Sequence, residues 1–341
     1  MIKRIFALLA IVLLVNVSNA QISVSAKHIG RVKKFSNNEL EKFKNTTTIF
    51  VLSNIFKEDE YKKILDKAWA VTPYKIVNIK DFNVNDYLDG KHSFVDLRGL
   101  KRTKSMKNGK DVVDLYLYLN VFMYDVDKLK KELAKKKGAK QKKINKIYKK
   151  HEISIARISL FPTSDFNKIA IYGDNDMIMR YVYGGDCFYT YELGFLQNFF
   201  QKLSSLIKNE EIYWKYKSDY TAELKNLKTQ TLFVPGYMKT MYNPFKGKDN
   251  DKRLEDVKKN FSAYAYKYEF QDDDVLNKRI LNGEAFYYLR YARENAEKFI
   301  HIVNSKTGEI IYRNYKTGFA YNIKGKHFKE LNKAIKKALK G

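Results

Sequence analysis

The sequence predicts an α/β (α+β) protein of two tandem related modules, each a mixed β-sheet with packed helices. Two observations predict this fold. Strand-like and helix-like segments recur in the same order in both halves of the chain, at a nearly constant spacing. The 341 residues are also enough for two domains with buried cores. We expect the order β-α-β-α-β-β-α in each module, and a mixed sheet because a hairpin closes each alternating series.

The first element is an export signal. Lys3 and Arg4 provide a positive start, and an uninterrupted apolar run of 11 residues follows them. That run is too short to span a bilayer as a helix. Ser18 and Ala20 place small residues where a signal peptidase requires them. The sequence therefore predicts cleavage after Ala20 and an exported protein, periplasmic or secreted, with no transmembrane span after cleavage.

The remaining chain divides by composition and pattern. We expect a signal peptide, an N-terminal segment, a first module, a linker and a second module, over residues 1–20, 21–47, 48–208, 209–225 and 226–341. A Lys-rich helical insertion over residues 125–151 interrupts the first module.

The duplication depends on an ordered series of matches. Strands open at Thr48 and at Thr231, 183 positions later. Further strand residues match at an offset of 192, namely Tyr74 with Tyr266, Phe94 with Phe286, Leu97 with Leu289 and Arg98 with Arg290. An ordered series of this kind is typical of tandem repeats.

Alternation and helical spacing predict the later elements. In a long strand of the first module, Leu115, Leu117, Leu119 and Val121 alternate with Tyr116, Tyr118, Asn120 and Phe122, so one face is aliphatic and the other largely aromatic. The closing helix is predicted from Cys187 to about Ile207, with Asp186 as its N-cap. The second module ends in a hairpin around Gly308 and a helix from Lys326 to Leu339.

The formal net charge of +27 comes mainly from lysine, since arginine supplies only 11 of the 65 basic residues. Residues 128–150 hold 12 lysines and one acid, Glu132. Apolar residues there recur at spacings of three and four, which predicts one or two basic amphipathic helices interrupted at Gly138. The candidate anion-binding residues are Lys135, Lys136, Lys137, Lys140, Lys142 and Lys143.

Two interpretations of this segment remain open. It is either a solvated helical face or a contact for a polyanion, and outside the cytoplasm the polyanions are lipid headgroups, anionic polysaccharide and DNA. Lysine makes point-charge contacts with phosphate rather than bidentate contacts with bases, so we expect no sequence-specific nucleic-acid recognition.

Two families resemble this element order. Residues 231–235, as an opening strand, and the hairpin over residues 304–312 resemble the small α/β module of bacterial envelope accessory proteins, such as the TolB amino-terminal domain and the curli-secretion lipoproteins. The resemblance implies a binding or assembly role and no catalysis, and a protein partner is one possible partner of the chain. The late hairpin and terminal helix are also similar to the thioredoxin-like fold, but the chain has no Cys-x-x-Cys and hence none of its redox chemistry.

Catalytic candidates are few. Residues 184–189 resemble the cysteine motif of ovarian-tumour-type proteases, although Gly184 replaces the leading Asp. Cys187 is the only cysteine, and at a helix N-terminus its thiol would gain thiolate character. Its base would be His327, which precedes an aromatic residue, or His301. The alternative is a buried, structural cysteine.

The five histidines are far apart, and no Gly-rich phosphate loop is present, so the sequence predicts no metal site and no cofactor. We therefore expect a basic, non-enzymatic exported protein that contacts an anionic surface or an assembly partner. A cysteine-dependent hydrolase using Cys187 is the alternative, and a purely structural spacer is a third.

Overall fold

A computed structural model describes residues 21–107, 109, 111–136, 138–245, 254–318 and 320–341. The predicted signal peptide and Lys137 lie outside the described residues. The described chain contains two six-stranded sheets with helices packed against them, which confirms the predicted fold class.

The first module supplies six strands and seven α-helices within the described residues. In chain order they are β1 (Ile22–Val24), α1 (Glu39–Lys44), β2 (Thr47–Val51), α2 (Glu58–Ala68), β3 (Tyr74–Ile76), β4 (His92–Ser105), β5 (Asp111–Tyr124), α3 (Val126–Ala134), α4 (Gln141–Lys150), β6 (Glu152–Ser159), α5 (Ser164–Tyr172), α6 (Asn175–Gly184) and α7 (Leu193–Lys208). A short 3-10 helix, Val84–Tyr87, precedes β4.

The second module has the same sequence of strands. Its elements are β7 (Asp219–Tyr220), β8 (Leu232–Pro235), α8 (Leu254–Phe261), β9 (Tyr268–Gln271), α9 (Asp273–Leu281), β10 (Tyr287–Glu294), β11 (Glu297–Asn304), β12 (Ile310–Thr317) and α10 (Gly325–Ala338). The predicted closing hairpin and terminal helix are therefore present, with bounds that differ from the expected ones by one or two residues.

The two sheets have identical strand orders, β1-β6-β5-β4-β2-β3 and β7-β12-β11-β10-β8-β9. In each sheet the second strand pairs in parallel with the third and the fourth, and the remaining pairs are antiparallel. The predicted N-terminal segment and linker each add an edge strand, β1 and β7. Two copies of one topology are thus joined in tandem.

The register of the parallel pairs changes one detail of the predicted repeat. Ile49 lies opposite Phe94, and Leu232 lies opposite Tyr287. If Leu232 is the counterpart of Ile49, at the predicted offset of 183, then Tyr287 rather than Phe286 is the counterpart of Phe94. The later strands are therefore offset by 193, one residue more than the predicted 192.

The closing helix of the first module begins later than predicted. The helix α7 starts at Leu193, with Glu192 in the N-cap position, and Cys187 lies in the turn between α6 and α7. The cause is backbone pairing. The amide of Thr163 donates to the Cys187 carbonyl at 2.9 Å, and the amide of Tyr189 donates to the Phe161 carbonyl at 2.9 Å. These bonds hold the segment extended, so Cys187 is not at a helix N-terminus.

The helix α7 lies between the two sheets. Thirteen of its 16 residues are buried, a distribution expected of a helix surrounded by protein on all sides. Phe200 packs edge-on against Phe50 of the first sheet, with ring centroids 5.6 Å apart. Phe195 stacks on Tyr288 of the second sheet at 5.4 Å. The two modules therefore share one continuous core.

The β11–β12 turn presses directly on this helix at Gly308. Gly308 has a φ of +72°, and a Cβ there would collide with the Asn198 carbonyl oxygen of α7. Gly283 has a similar φ of +76°, with no atom within 4 Å of an added Cβ. An alanine at Gly283 would therefore meet backbone strain alone, whereas an alanine at Gly308 would meet the same strain and a steric collision.

We expect Gly283→Ala to lower the free energy of unfolding by about 1 kcal/mol, the cost of a left-handed alanine. Gly308→Ala should cost roughly 2–4 kcal/mol, because overpacking adds to the same strain. Denaturant unfolding of both variants measures the difference. Equal losses would contradict the close contact between the turn and α7.

Candidate functional site

A large cleft opens on the face of the first sheet that points away from α7. Its floor is formed by β4, β5 and β6, and the α3–α4 hairpin forms its roof. Its volume is about 1050 Å³. Five basic and three acidic side chains line it, together with rings from β5 and α4. A cleft of this size with convergent polar groups is the default candidate for a binding site.

Strand alternation explains which side chains reach the floor. On β5, Leu117 and Leu119 enter the core, whereas Tyr118 and Phe122 line the cleft. The aromatic face predicted for this strand is therefore the floor of the cleft. Cross-strand pairing places charged residues of β4 and β6 on either side of β5, because Asp96 lies opposite Asn120 and Asn120 lies opposite Arg157.

A hydrogen-bonded network of planar side chains crosses the floor. The Nε of Arg98 donates to both carboxylate oxygens of Asp96, at 2.9 and 3.1 Å, and its Nη1 donates to Glu152 Oε2 at 2.7 Å. Asn120 Nδ2 donates to Glu152 Oε1 at 3.3 Å, and Arg157 Nε donates to Asn120 Oδ1 at 3.1 Å. The network fixes five polar groups in one layer.

The two guanidinium groups of this network also stack on rings. Arg98 lies 4.4 Å from the centroid of the Phe122 ring, and Arg157 lies 4.4 Å from that of Tyr118. Such contacts are favourable when the cation is partly desolvated. Within the described residues, the terminal nitrogens Nη1 and Nη2 of Arg157 have no hydrogen-bond partner. They are fixed donors that a ligand can use.

Burial controls the charge state of the floor. It raises the pKa of Asp96 to about 6, although Arg98 opposes the shift. His28, which bonds Ser23 Oγ and Ser154 Oγ at 2.8 Å each, has a pKa well below its usual value because it is buried and because Arg157 and Lys215 are near. At neutral pH the cleft therefore holds an ionised Asp96 and a neutral His28.

The roof is the predicted Lys-rich segment, and it forms two helices broken near Gly138, as expected. Leu129 and Ile147 are buried against Leu88 in a small separate cluster. Tyr148 donates from its hydroxyl to Asn85 Oδ1 at 2.7 Å. These contacts attach the hairpin to the segment that precedes β4.

The lysines of the roof are exposed to solvent, and one of them, Lys149, also lines the cleft. Lys135, Lys136, Lys140, Lys142 and Lys143 are all exposed, and none forms an ion pair within the described part of the chain. The sixth candidate, Lys137, is outside that part. Glu132, the one acid of the segment, is already paired with Lys150 at 2.6 Å and with His151 at 2.7 Å. The outer surface of the roof is therefore strongly positive.

The inner end of the cleft reaches the second module. Ser159 of β6 donates to Glu294 Oε1 at 3.1 Å, and Lys215 forms a buried ion pair with the other oxygen of that carboxylate. All three side chains line the cleft. Both modules thus contribute to one site.

The structure does not bring the three catalytic candidates together. The thiol of Cys187 is 2% exposed, and burial, with a smaller effect of Asp186, raises its pKa far above the usual range. His301 is on β11, and His327 is in the first turn of α10. Burial lowers the pKa of His327 to about 4, and its Nδ1 accepts a bond from the Lys324 amide at 3.0 Å. No contact of the described residues joins the thiol to either imidazole.

Sequence reasoning missed the floor residues Asp96, Arg98, Glu152 and Arg157. A signal for two of them was present. Asp96 and Arg98 stand two positions apart within residues 94–100, a stretch that is otherwise apolar, and this spacing puts both charges on one face of the strand. Glu152 and Arg157 could not be found this way, because they are five positions apart and strict alternation would place them on opposite faces of β6. The register shift between Val121 and Phe122 of β5 brings both to the same face.

Searches against protein-family models, curated proteins and solved structures find no match. Among the described residues, no helix is long and apolar enough to cross a membrane. The same part of the chain holds no cluster of three histidine, cysteine or acidic side chains placed to bind a metal ion.

We expect the Cys187 thiol to react slowly in the native protein, because a buried thiol with a raised pKa is protonated at neutral pH. Labelling by a thiol-reactive probe at pH 7, before and after unfolding in guanidinium chloride, measures this. The unfolded chain is the control and should label fast. Rapid native labelling, with loss of a hydrolytic activity in Cys187→Ser, would instead support the hydrolase alternative.

Proposed function

We propose that this chain is an exported, non-enzymatic binding protein that holds an acidic polysaccharide in the cleft of its first module. The observation that carries the proposal is the floor network around Arg157. It combines unused guanidinium donors with partly accessible carboxylates and aromatic walls in one cavity.

The mixture of donors and acceptors favours sugars over other polyanions. The hydroxyl groups of a saccharide both donate and accept, so they match carboxylates and guanidinium groups alike. The side chains of Asp96 and Glu152 are 19% and 10% exposed, which leaves lone pairs within reach of a ligand. Nucleic-acid and lipid phosphates are acceptors only, and these carboxylates would repel them. A uronic-acid carboxylate is the natural partner for the free edge of Arg157.

The roof would add long-range attraction. A polymer chain that enters the cleft carries further charges outside it, and the exposed lysines of the α3–α4 hairpin, of which Lys149 lines the cleft, would attract them. Such contacts act mainly by counterion release, so they depend strongly on salt and little on the chemistry of the polymer. The cleft supplies the specificity and the hairpin supplies the attraction. The envelope accessory role implied by the sequence resemblance is compatible with a protein that attaches to a surface polymer.

The test compares Arg157→Gln with Arg180→Gln, a change of equal charge at an exposed residue of α6. We expect Arg157→Gln to weaken binding of oligogalacturonate roughly tenfold or more, the value of one charge-assisted hydrogen bond. Arg180→Gln should bind like the unchanged protein. Calorimetric titration measures both, and a thermal melt checks folding. Equal weakening in both variants, or a polymer shortened by the protein, would contradict non-enzymatic binding in the cleft.

A second comparison isolates the roof. One variant changes Lys135, Lys136, Lys137, Lys140, Lys142 and Lys143 to Gln, and the other changes Lys326, Lys329, Lys333, Lys336, Lys337 and Lys340 of the C-terminal region. We expect only the first to reduce both affinity and the slope of affinity against salt. If both variants lose affinity equally, net charge alone acts and the hairpin has no special part.

We expect binding to strengthen as the pH falls from 7 to 5. Asp96 becomes neutral near pH 6, which frees Arg98 and removes one negative charge from the floor. The charged groups near Asp96 are Arg98, Glu152 and Arg157. Tyr124 and Tyr183 are also close to Asp96, but burial raises the pKa of both phenols, so they stay neutral over this range. The binding affinity should rise roughly fivefold between pH 7 and pH 5, which corresponds to about 1 kcal/mol for the removal of one partly screened charge.

Asp96→Asn is the control for this pH effect, because it should bind at pH 7 as the unchanged protein does at pH 5. The same carboxyl affects stability. Its folded pKa exceeds the unfolded value of 3.8, so the folded state gains stability as the pH falls through 6. A pH profile that is unchanged in Asp96→Asn would assign the effect to another group.

We expect the exported protein to begin at Gln21. The backbone nitrogen of Gln21 lies 3.4 Å from His301 Nε2 in the buried seam between the modules. An ammonium group there would add charge beside Arg290 and Arg313, so the cyclised, neutral form of Gln21 should predominate. Intact mass of protein from the native host measures this, with one ammonia lost. An uncleaved Met1 form in the cytoplasm would contradict export.

A further inference from the structure

A row of three basic side chains crosses the second sheet on the face that points toward α7. Arg290 of β10 lies opposite His301 of β11, and His301 lies opposite Arg313 of β12. Adjacent strands are about 4.8 Å apart, so the three residues span roughly 10 Å. The side chains of Arg290 and His301 are at most 1% exposed. The row therefore places cationic side chains inside the core.

Arg290 has no counter-ion within the described residues. None of its three guanidinium nitrogens makes a hydrogen bond of normal length and angle there, although the Tyr288 hydroxyl, which itself donates to Asn198, is close enough to interact with the group. Its contact is a ring, with Phe199 of α7 centred 4.0 Å from the guanidinium carbon. Burial lowers the pKa of Arg290, but an arginine side chain keeps its proton in proteins. A buried, permanent cation of this kind requires compensation.

Its two neighbours in the row present further unused donors. Gln21 donates its backbone N–H to His301 Nε2, so the proton of the neutral imidazole is on Nδ1, which has no partner. Burial and the two arginines hold the pKa of His301 well below its usual value. Arg313 forms a bidentate ion pair with Asp219, yet its Nη1 has no partner. Five buried N–H-bearing nitrogens along the row thus lack acceptors.

We infer that this row binds a small monovalent inorganic anion, of the halide type, in the seam between the two modules. The charge count sets the valence. Asp219 compensates Arg313 and His301 is neutral, which leaves one positive charge on Arg290. The stacking of Phe199 on Arg290 and of Tyr213 on Arg313, at 4.0 and 4.1 Å, leaves the edges of both guanidinium groups as the donor surfaces. An anion held there joins β10, β11 and β12 to α7.

The test uses the whole protein and chloride at constant ionic strength, with gluconate as the large replacement anion. We expect the Tm to rise by roughly 3–6 °C as chloride replaces gluconate, along a curve that saturates. Crystals grown in bromide should show an anomalous peak within hydrogen-bond distance of the Arg290 guanidinium. If water occupies the place of the anion, the Tm should not respond to the exchange of gluconate for chloride, and no anomalous bromide peak should appear at Arg290. Either result would overturn the inference.

Two variants complete the experiment. Arg290→Met removes the charge and fills the same space with an apolar chain, so its Tm should no longer respond to chloride. Arg180→Met, at an exposed position, should keep the response of the unchanged protein. A chloride response of equal size in both variants would overturn the inference. If Arg290→Met fails to fold, the saturation curve and the bromide peak of the unchanged protein still decide.

Discussion

The rest of the structure depends on the burial of α7. A helix with 13 of 16 residues buried has no face left for water, so it needs protein on both sides. The first sheet covers one side through Phe50, and the second covers the other through Tyr288. Neither module can expose α7 without presenting a large apolar surface. A polar side chain of the helix is buried in the same way. Lys202 lies inside the protein and its ammonium group pairs with Glu309 of the second module at 2.8 Å. The tandem repeat is thus one folding unit.

The position of α7 also makes the two sheets unequal. The second sheet is covered on both faces, by α7 on one and by α8 and α10 on the other. The first sheet has closely packed helices on one face only. Its second face is covered at a distance by the α3–α4 hairpin, which rests on Leu88 and on Tyr124 at the end of β5. The space between them is the cleft. The two modules therefore share one framework, and the Lys-rich insertion encloses a cleft on the uncovered face of the first.

Much of this architecture could be predicted from the sequence, because strand order and hairpin signals are local. The repeat, the terminal helix and the aromatic face of β5 are examples. The one-residue error in the predicted offset shows what local sequence patterns cannot determine, namely the register in which strands pair. Matching Arg98 to Arg290 would place both on equivalent faces, but Arg98 lies in the cleft and Arg290 points at Phe199 of α7. A shift of one residue along a strand exchanges its faces, and only the register of pairing decides it. The start of α7 was wrong for a related reason, since backbone pairing with residues 161–163 overrode a good N-cap signal at Asp186.

Because arginine is rare in this chain, the positions of its arginines indicate where a guanidinium group is needed in place of an ammonium group. The chain has 65 basic residues but only 11 arginines, so lysine is the default cation wherever a solvated charge is sufficient. Six of the arginines, Arg98, Arg157, Arg279, Arg290, Arg293 and Arg313, have a guanidinium group within 5 Å of a ring centroid. A planar, weakly hydrated guanidinium can stack on a ring and still donate from its edge, which an ammonium cannot do. Lysine on the α3–α4 hairpin supplies diffuse potential, while arginine at the cleft floor and in the seam supplies fixed geometry. The distribution of the two cations therefore separates a long-range field from the places where we propose that an anion is held by directed bonds.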